Sequence, residues 1–237
     1  MIETLSATGS TNADLLGRLA AGEAVAECVW LVADRQTAGR GRLGRQWSDG
    51  LGNFMGSTAV HMRAGDPHAG SLALVAGLAV QAAVAGFVLP PLQPLLKWPN
   101  DVMVGAAKLA GILLEKAGDT VVVGVGVNLA QAPAIAGRPT VAVAQFGPPP
   151  SRDAFALALA HGFAEEVARW RREGLAATVA RWQAVAHPVG TALRFTGGDG
   201  TVLDGRFAGL DGQGALLLEL ADGARRTIHA GEVQFSE

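Results

Sequence analysis

Residues 95–129 read LLKWPNDVMVGAAKLAGILLEKAGDTVVVGVGVNL, and this stretch decides the fold of the chain. It predicts a meander of strands, because short turns at Gly105-Ala106-Ala107 and Ala117-Gly118-Asp119 separate apolar runs. Val121 to Val127 is the clearest strand, and its almost unbroken valines are typical of a strand covered on both faces. The middle of the chain is therefore predicted to form a sheet.

Helices and strands alternate upstream of this meander. Ser10-Thr11-Asn12 precedes leucines at helical spacing, which predicts a short capped helix as the first element. Apolar runs predict buried strands over 28–33 and 53–62, and an alanine-rich helix is expected over about 68–87. This order predicts helices packed against a sheet.

The segment from Gly70 to Leu89 has twenty residues without a charge, about the length that spans a bilayer. Its composition favours a buried helix instead. It is mostly alanine and glycine, contains Gln81, lacks a flanking basic cluster and ends at Pro90-Pro91. We therefore expect no membrane association.

Downstream, two helices are predicted over 152–173 and 175–185, and the pattern changes after His187-Pro188. Short alternating strands then follow, separated by dense turn sequences at Gly197-Gly198-Asp199-Gly200, Asp211-Gly212-Gln213-Gly214 and Asp222-Gly223. Turns at this spacing predict a small β-barrel. The expected domains are residues 1–187 and 188–237.

Composition excludes some classes of protein. The formal net charge of -2 gives no global basic field that would draw the chain to nucleic acid. The single cysteine, Cys28, excludes an internal disulfide and fits a reducing compartment. The opening residues lack the pattern of a secretory signal, so a cytoplasmic location is expected. The five histidines show no metal-ligand spacing.

The run GRGRLGRQW over residues 39–47 holds three arginines and three glycines. Glycine lets backbone approach a ligand, and each guanidinium offers a fork of donors to carboxylate or phosphate. The run matches G-x-G-x-x-G, but the turn-rich sequence after Gln46 cannot continue as the helix that a dinucleotide site requires. A solvated surface loop or a nucleic-acid-binding Arg-Gly box are the alternatives, although such boxes usually repeat.

Three further segments carry polar residues at the ends of predicted strands. They are Lys97-Trp98-Pro99-Asn100-Asp101, the segment that Lys108 opens, and Gly126-Val127-Asn128. Taken singly, each has a structural explanation: an ordinary turn, a solvated strand end or a strand-terminating cap. Their meaning depends on the combination.

Together with the loop, these segments resemble the biotin protein ligases, in the family's order and roughly its spacing. The resemblance extends from Ser10 to Leu129. It implies an α+β fold: a mixed β-sheet flanked by helices, of the class II synthetase-like biotin/lipoate ligase type, plus a small SH3-like β-barrel domain. Nothing before Ser10 could form a helix-turn-helix domain, so the short, monofunctional form without DNA binding is expected.

The resemblance implies a two-step reaction. Biotin and ATP, with Mg²⁺ carried on the nucleotide, would give biotinyl-5′-AMP and pyrophosphate. The biotinyl group would then pass to a lysine of a biotin carboxyl carrier domain, of acetyl-CoA carboxylase or a related carboxylase, with release of AMP. A homodimer is also compatible with the family. A lipoate-protein ligase of the same fold and, in a different class, a nucleic-acid-binding protein are the alternatives.

The resemblance also implies roles for fifteen residues. Biotin would be bound by Ser10, Thr11, Asn12, Gln36, Arg40, Gly41, Arg42, Lys108 and Gly111. ATP would be bound by Arg42, Arg45, Trp47, Lys97, Asn100, Asp101 and Asn128. The catalytic residues would be Arg42, Lys108 and Asp101, with Asp101 accepting a hydrogen from the incoming lysine or orienting it. The loop is expected to be mobile when empty and ordered by the adenylate.

Overall fold

The computed structural model describes residues 1–88 and 90–236. Three helices and twelve strands follow in the order β1 (Ile2–Leu5), α1 (Thr11–Ala20), β2 (Trp30–Ala33), β3 (Phe54–His61), α2 (Leu72–Ala85), β4 (Pro94–Lys97), β5 (Asp101–Val104), β6 (Ala107–Ala117), β7 (Thr120–Val127), α3 (Arg152–Ala184), β8 (Ala192–Thr196), β9 (Val202–Leu210), β10 (Leu216–Glu219), β11 (Arg225–Ile228) and β12 (Glu232–Phe235).

The first seven strands form one mixed sheet in the order β1-β2-β3-β7-β6-β5-β4. Among the strand pairs of this sheet within the described residues, only β1–β2 is parallel. The predicted meander is confirmed as β4 to β7, and its turns place Gly105 and Gly118 at φ of 57° and 58°, where glycine avoids a steric penalty. Helices α2 and α3 pack on one face, and α1 packs on the other through Leu15. The predicted fold class is confirmed.

The start of the chain differs from the prediction. A strand, β1, precedes the capped helix that was expected to be the first element. It pairs in parallel with β2 at the sheet edge, and its residues are half-buried or exposed. Four residues of mixed polarity are too few to predict a strand from the local sequence. The strand forms because it pairs with β2, which lies well over twenty residues away in the chain. Helix α1 itself begins as predicted, with Ser10 Oγ accepting from the Ala13 amide.

Helix α3 is interrupted at Gly174, where φ is 79°, at the junction between the two predicted helices. Two charged side chains of α3, Arg171 and Glu166, are largely buried in ion pairs. Arg171 makes a bidentate pair with Glu27 and a further pair with Asp66, while Glu166 pairs with Arg181. These pairs tie α3 to the β2–β3 region and across its own interruption.

The alanine-rich helix α2 is buried in the core, and Leu89, the end of the charge-free stretch, lies outside the described residues. Among the residues described, no helix is long and apolar enough to cross a membrane. Cys28 is half-buried, and burial raises the pKa of its thiol to about 11.

The last five strands form an antiparallel sheet in the order β11-β10-β9-β8-β12. Within the described part of the chain β11 and β12 do not pair with each other, so the barrel is open along that seam. The module contacts the rest of the chain through hydrogen bonds from Trp98 Nε1 to the Gly214 carbonyl, 3.1 Å, and from Lys97 Nζ to the Val233 carbonyl, 3.0 Å. The domain boundary after residue 187 stays a prediction.

Candidate active site

A cavity of about 350 Å³ lies between α1, the arginine and glycine loop, the glycine-bearing face of β6 and β7, and strand β12. Its volume is within the range of small-molecule sites. All fifteen residues that the sequence pointed to line it. Residues that the sequence did not point to line it as well, and they include Ser57, Met103, Arg138, Thr140 and the segment from Glu232 to Phe235.

Three glycines make the floor of the cavity flat. Gly111 and Gly126 are paired across β6 and β7, and Gly124 lies two residues before Gly126 on the same strand. A Cβ atom on Gly126 would overlap the Trp47 ring, and one on Gly124 would overlap the Asn12 amide. The indole of Trp47 therefore rests directly on backbone, which any side chain would prevent.

The arginine and glycine loop folds back on itself as a tight flap. The Gly41 amide donates to the Arg45 carbonyl over 2.7 Å, and the Trp47 amide donates to the Gly39 carbonyl over 2.9 Å. At the tip, Leu43 adopts φ of 56° and its side chain is exposed. The flap thus carries its arginines over the cavity without a hydrophobic anchor at the tip.

Two arginines of the flap reach across to other parts of the chain. Arg42 donates to Asn100 Oδ1 over 3.1 Å and to the Gly231 carbonyl over 3.3 Å. Arg45 pairs with Glu232 of β12. Burial lowers the pKa of Arg42, opposed by the charges of Asp101 and Glu232. In this state the flap is closed onto the C-terminal module.

One end of the cavity is uncharged and hydrogen-bonded within itself. Gln36 Oε1 accepts from the Thr11 amide over 2.8 Å, and Thr11 Oγ1 lies 2.6 Å from Ser57 Oγ. Ser57 Oγ donates to Asn12 Oδ1 over 2.5 Å, and Asn12 Nδ2 donates to Glu115 Oε2 over 2.8 Å. We call Thr11, Asn12, Ser57 and Gln36 the ring end. All four residues are buried.

The other end is charged. The Asp101 carboxylate lies 3.1 Å from Lys97 Nζ and 2.6 Å from Lys108 Nζ. Burial would raise the pKa of Asp101, but the charges of Lys108 and Lys97 and their hydrogen bonds outweigh it and hold the pKa below its usual value. We call Lys97, Asp101, Lys108, Arg42 and Arg45 the anion end. It carries more cations than the nearby carboxylates neutralise.

Known families match both parts of the chain. A model described as the biotin/lipoate A/B protein ligase family matches residues 28–128, and one described as the biotin protein ligase C terminal domain matches residues 190–236. A biotin--[acetyl-CoA-carboxylase] ligase of Mycobacterium tuberculosis is 36% identical over 98% of this chain and 88% of its own length. The chain belongs to the biotin protein ligase family. A ligase of the same name from Paracoccus denitrificans is 37% identical over 98% of this chain and 99% of its own length.

A solved biotin protein ligase agrees with this fold. The enzyme from Aquifex aeolicus, in complex with biotin and ATP, has a TM-score of 0.86 at 25% identity, over 99% of each chain. Both sheets of the present chain therefore have counterparts in a biotin protein ligase, including the C-terminal module.

Two residues that were predicted to bind the nucleotide also donate hydrogen bonds to backbone carbonyls. Asn100 Nδ2 donates to the Ile112 carbonyl over 2.7 Å, and Asn128 Nδ2 donates to the Val141 carbonyl over 3.2 Å. These bonds fix the end of β4 and the segment after β7 around the cavity. Sequence reasoning missed Ser57 and Glu115; a polar Gly56-Ser57-Thr58 run inside an otherwise apolar strand was the available signal for Ser57.

No set of three or more metal-ligating side chains occurs among the residues described. The carboxylates at the anion end are already paired with cations: Asp101 with Lys97 and Lys108, and Glu232 with Arg45. The side chains present thus do not form a cage for a resident Mg²⁺, which in any case prefers phosphate oxygens and water alongside one or two carboxylates.

Proposed function

We propose that the protein joins the carboxylate of biotin to the AMP portion of ATP and then transfers the biotinyl group to a lysine of a biotin carboxyl carrier domain. One observation carries this: a single cavity joins an uncharged, buried hydrogen-bonding end to a cationic end. A ureido ring fits the first, because it offers two N–H donors and one carbonyl acceptor. A carboxylate next to a triphosphate fits the second.

In the first step an oxygen of the biotin carboxylate attacks the α-phosphorus of ATP. The new bond joins carboxylate oxygen to phosphorus, and the bond from phosphorus to the pyrophosphate oxygen breaks. Two unit charges 4 Å apart repel by about 4 kcal/mol at an effective dielectric near 20. Lys108, Arg42 and Arg45 are placed to lower that repulsion, and Trp47 on its glycine floor gives a flat surface for the adenine.

In the second step a neutral lysine amine of the carrier attacks the acyl carbon, the bond from that carbon to the phosphate oxygen breaks, AMP leaves with the bonding electrons, and the proton of the amine passes to water. Asp101 contributes by accepting a hydrogen bond from that amine and orienting it. Its low pKa makes it a weak base, so orientation rather than full proton removal is its role. Mg²⁺ enters as part of the nucleotide and supplies charge neutralisation there.

The proposal is tested by exchange of labelled pyrophosphate into ATP. Exchange that depends on biotin supports it, and exchange that depends on lipoate instead would favour the lipoate alternative. The absence of exchange with either compound would refute adenylation of these acids. Transfer of labelled biotin to a purified carrier domain, compared with a carrier whose target lysine is changed to arginine, tests the second step.

A homodimer, a cytoplasmic location and the absence of DNA binding belong to the same proposal. Light scattering of the protein with biotin and ATP would test the homodimer. The outer edge strand β1 pairs only with β2 in the described part of the chain, whereas β4 is covered by the bridge between Leu96 and Ala186.

A further inference from the structure

The ring end contains a chain of hydrogen bonds that terminates on a residue outside the predicted site. The chain runs from Thr11 Oγ1 through Ser57 Oγ and the Asn12 amide to the Glu115 carboxylate, over 2.6, 2.5 and 2.8 Å. Thr11, Asn12 and Ser57 are at most 3% exposed, so no solvent competes for these bonds. Glu115 lies at the half-buried outer end of the chain on β6.

The direction of this chain is not fixed by the hydroxyls or the amide themselves. Each hydroxyl has one hydrogen, and an amide can turn over to exchange its oxygen and nitrogen. In a reversed chain, Asn12 would donate to Ser57, Ser57 to Thr11, and Thr11 to Gln36 Oε1, which lies 3.1 Å away. The reversed chain satisfies every bond between these four side chains, whereas in the forward chain Thr11 donates its one hydrogen to Ser57 and gives up its bond to Gln36 Oε1.

Glu115 decides the direction of the chain. An ionised carboxylate only accepts, so Asn12 must turn Nδ2 toward it and Oδ1 toward Ser57. Ser57 then has to donate its one hydrogen to Oδ1 and accept from Thr11. Reversal would set Asn12 Oδ1 against the carboxylate, leaving two acceptors face to face. Among the described residues no lysine or arginine forms an ion pair with Glu115, and Asn12 is the side chain that donates a hydrogen bond to it.

The direction of the hydrogen bonds determines whether the wall of the cavity formed by Thr11 and Asn12 presents hydrogen-bond acceptors or donors to a ligand. With hydrogens running toward Glu115, Thr11 Oγ1 and Asn12 Oδ1 present lone pairs beside the cavity. In the reversed chain, the second hydrogen of the Asn12 amide would occupy that position. The opposite polarity is supplied by Gln36, whose Oε1 is fixed by the Thr11 amide and whose Nε2 keeps its hydrogens for a ligand carbonyl.

We propose that Glu115 is a positioning residue which, through Asn12, makes this wall an acceptor for the ureido N–H groups of biotin. The inference rests on the proposed function and deepens it. Glu115 does not touch the ligand, so it acts on the recognition of the ring and not on the phosphates. Its loss therefore raises the KM for biotin and leaves the KM for ATP unchanged.

The first test measures both KM values in the biotin-dependent pyrophosphate exchange. Glu115→Ala is expected to raise the biotin KM about tenfold or more. Glu115→Gln keeps the shape of the side chain but can turn over and donate as well as accept, so it no longer fixes the direction and is also expected to raise the biotin KM several-fold. Lys116→Ala, a change at the next and exposed residue of β6, is the matched control. A biotin KM in Glu115→Gln equal to that of the wild type would show that an acceptor-only group is not required and would overturn the proposal.

The second test uses a cyclic carbamate analogue of biotin, in which an oxygen replaces one ureido N–H. The wild type is expected to prefer biotin over at least one of the two such analogues by tenfold or more, and Glu115→Ala to lose most of that preference. A structural defect would lower activity with both compounds equally and leave the preference intact, which would refute the positioning role. If the wild type shows no biotin-dependent exchange, the proposed function fails, independently of Glu115.

Discussion

The two ends of the cavity are prepared for their ligands in opposite ways. At the ring end, uncharged and buried side chains satisfy one another before any ligand arrives. At the anion end, cations face the cavity, and internal carboxylates hold them: Asp101 holds Lys97 and Lys108, and Glu232 holds Arg45. Buried neutral groups can be fixed at low cost, whereas buried cations need a counter-charge at all times. The first end is built for orientation and the second for charge.

The comparison predicts its largest effect at Lys108. Lys108→Ala removes one of the two cations beside Asp101 and leaves the ring end intact, so kcat/KM for biotin in the exchange reaction should fall about a hundredfold. Lys116→Ala, an exposed lysine on the same strand, controls for the general loss of a positive charge. A loss of less than fivefold would show that Lys108 does not stabilise the transition state.

Asp101 tests the need for a counter-charge. Asp101→Asn leaves two lysines facing each other in a buried place, which should lower the free energy of unfolding by about 3 kcal/mol. Because the folded pKa of Asp101 lies below its usual value of 3.8, its contribution is complete above that pH and is lost only as the pH falls through the lower folded value. Urea unfolding should therefore give a constant difference from the wild type between pH 7 and pH 5.

The same variant separates the two proposed steps. Adenylate formation and transfer are measured independently, by pyrophosphate exchange and by single-turnover labelling of the carrier from isolated biotinyl-5′-AMP. A transfer rate equal to that of the wild type would exclude Asp101 from orienting the incoming amine.

The surface between the two ends depends on the floor glycines. Gly126→Ala places a methyl group where the Trp47 ring lies, so the ring must move and the KM for ATP should rise about tenfold. The biotin KM should change much less, because the ring end does not contact this position. Gly86→Ala, at the end of α2 with open space around it, is the matched control. An unchanged KM for ATP would show that the position of the Trp47 ring on Gly126 does not matter for nucleotide binding.

The sequence predicted the large sheet because its signals are local, and it predicted the cavity residues because their segments resemble those of the biotin protein ligases. Glycine turns at Gly105 and Gly118 and the valines of β7 define the meander without knowledge of the rest of the chain. Glu115 and Glu232 were missed, since their contacts join distant positions: Asn12 with Glu115 over 103 residues and Arg45 with Glu232 over 187. No periodicity or motif reports such pairs. The edge strand β1 was missed for the same reason, because its partner is β2.

The smallest predicted effect concerns the closed flap. Arg45 and Glu232 are partly exposed, and such a pair stabilises a contact by about 1 kcal/mol or less. Glu232→Gln should therefore raise the rate of tryptic cleavage at the flap arginines by at most about fivefold in the empty protein. Addition of biotin and ATP should return the rate to that of the liganded wild type, since the adenylate phosphate can then take the place of the carboxylate. The control variant is Asp204→Asn. Asp204 pairs with Arg194 in the same C-terminal module, away from the flap. Faster cleavage in Asp204→Asn as well would mean that the module as a whole has loosened. If Glu232→Gln alone leaves cleavage unchanged, the carboxylate does not hold the flap, and the anion end keeps its arginines in place without a counter-charge from β12.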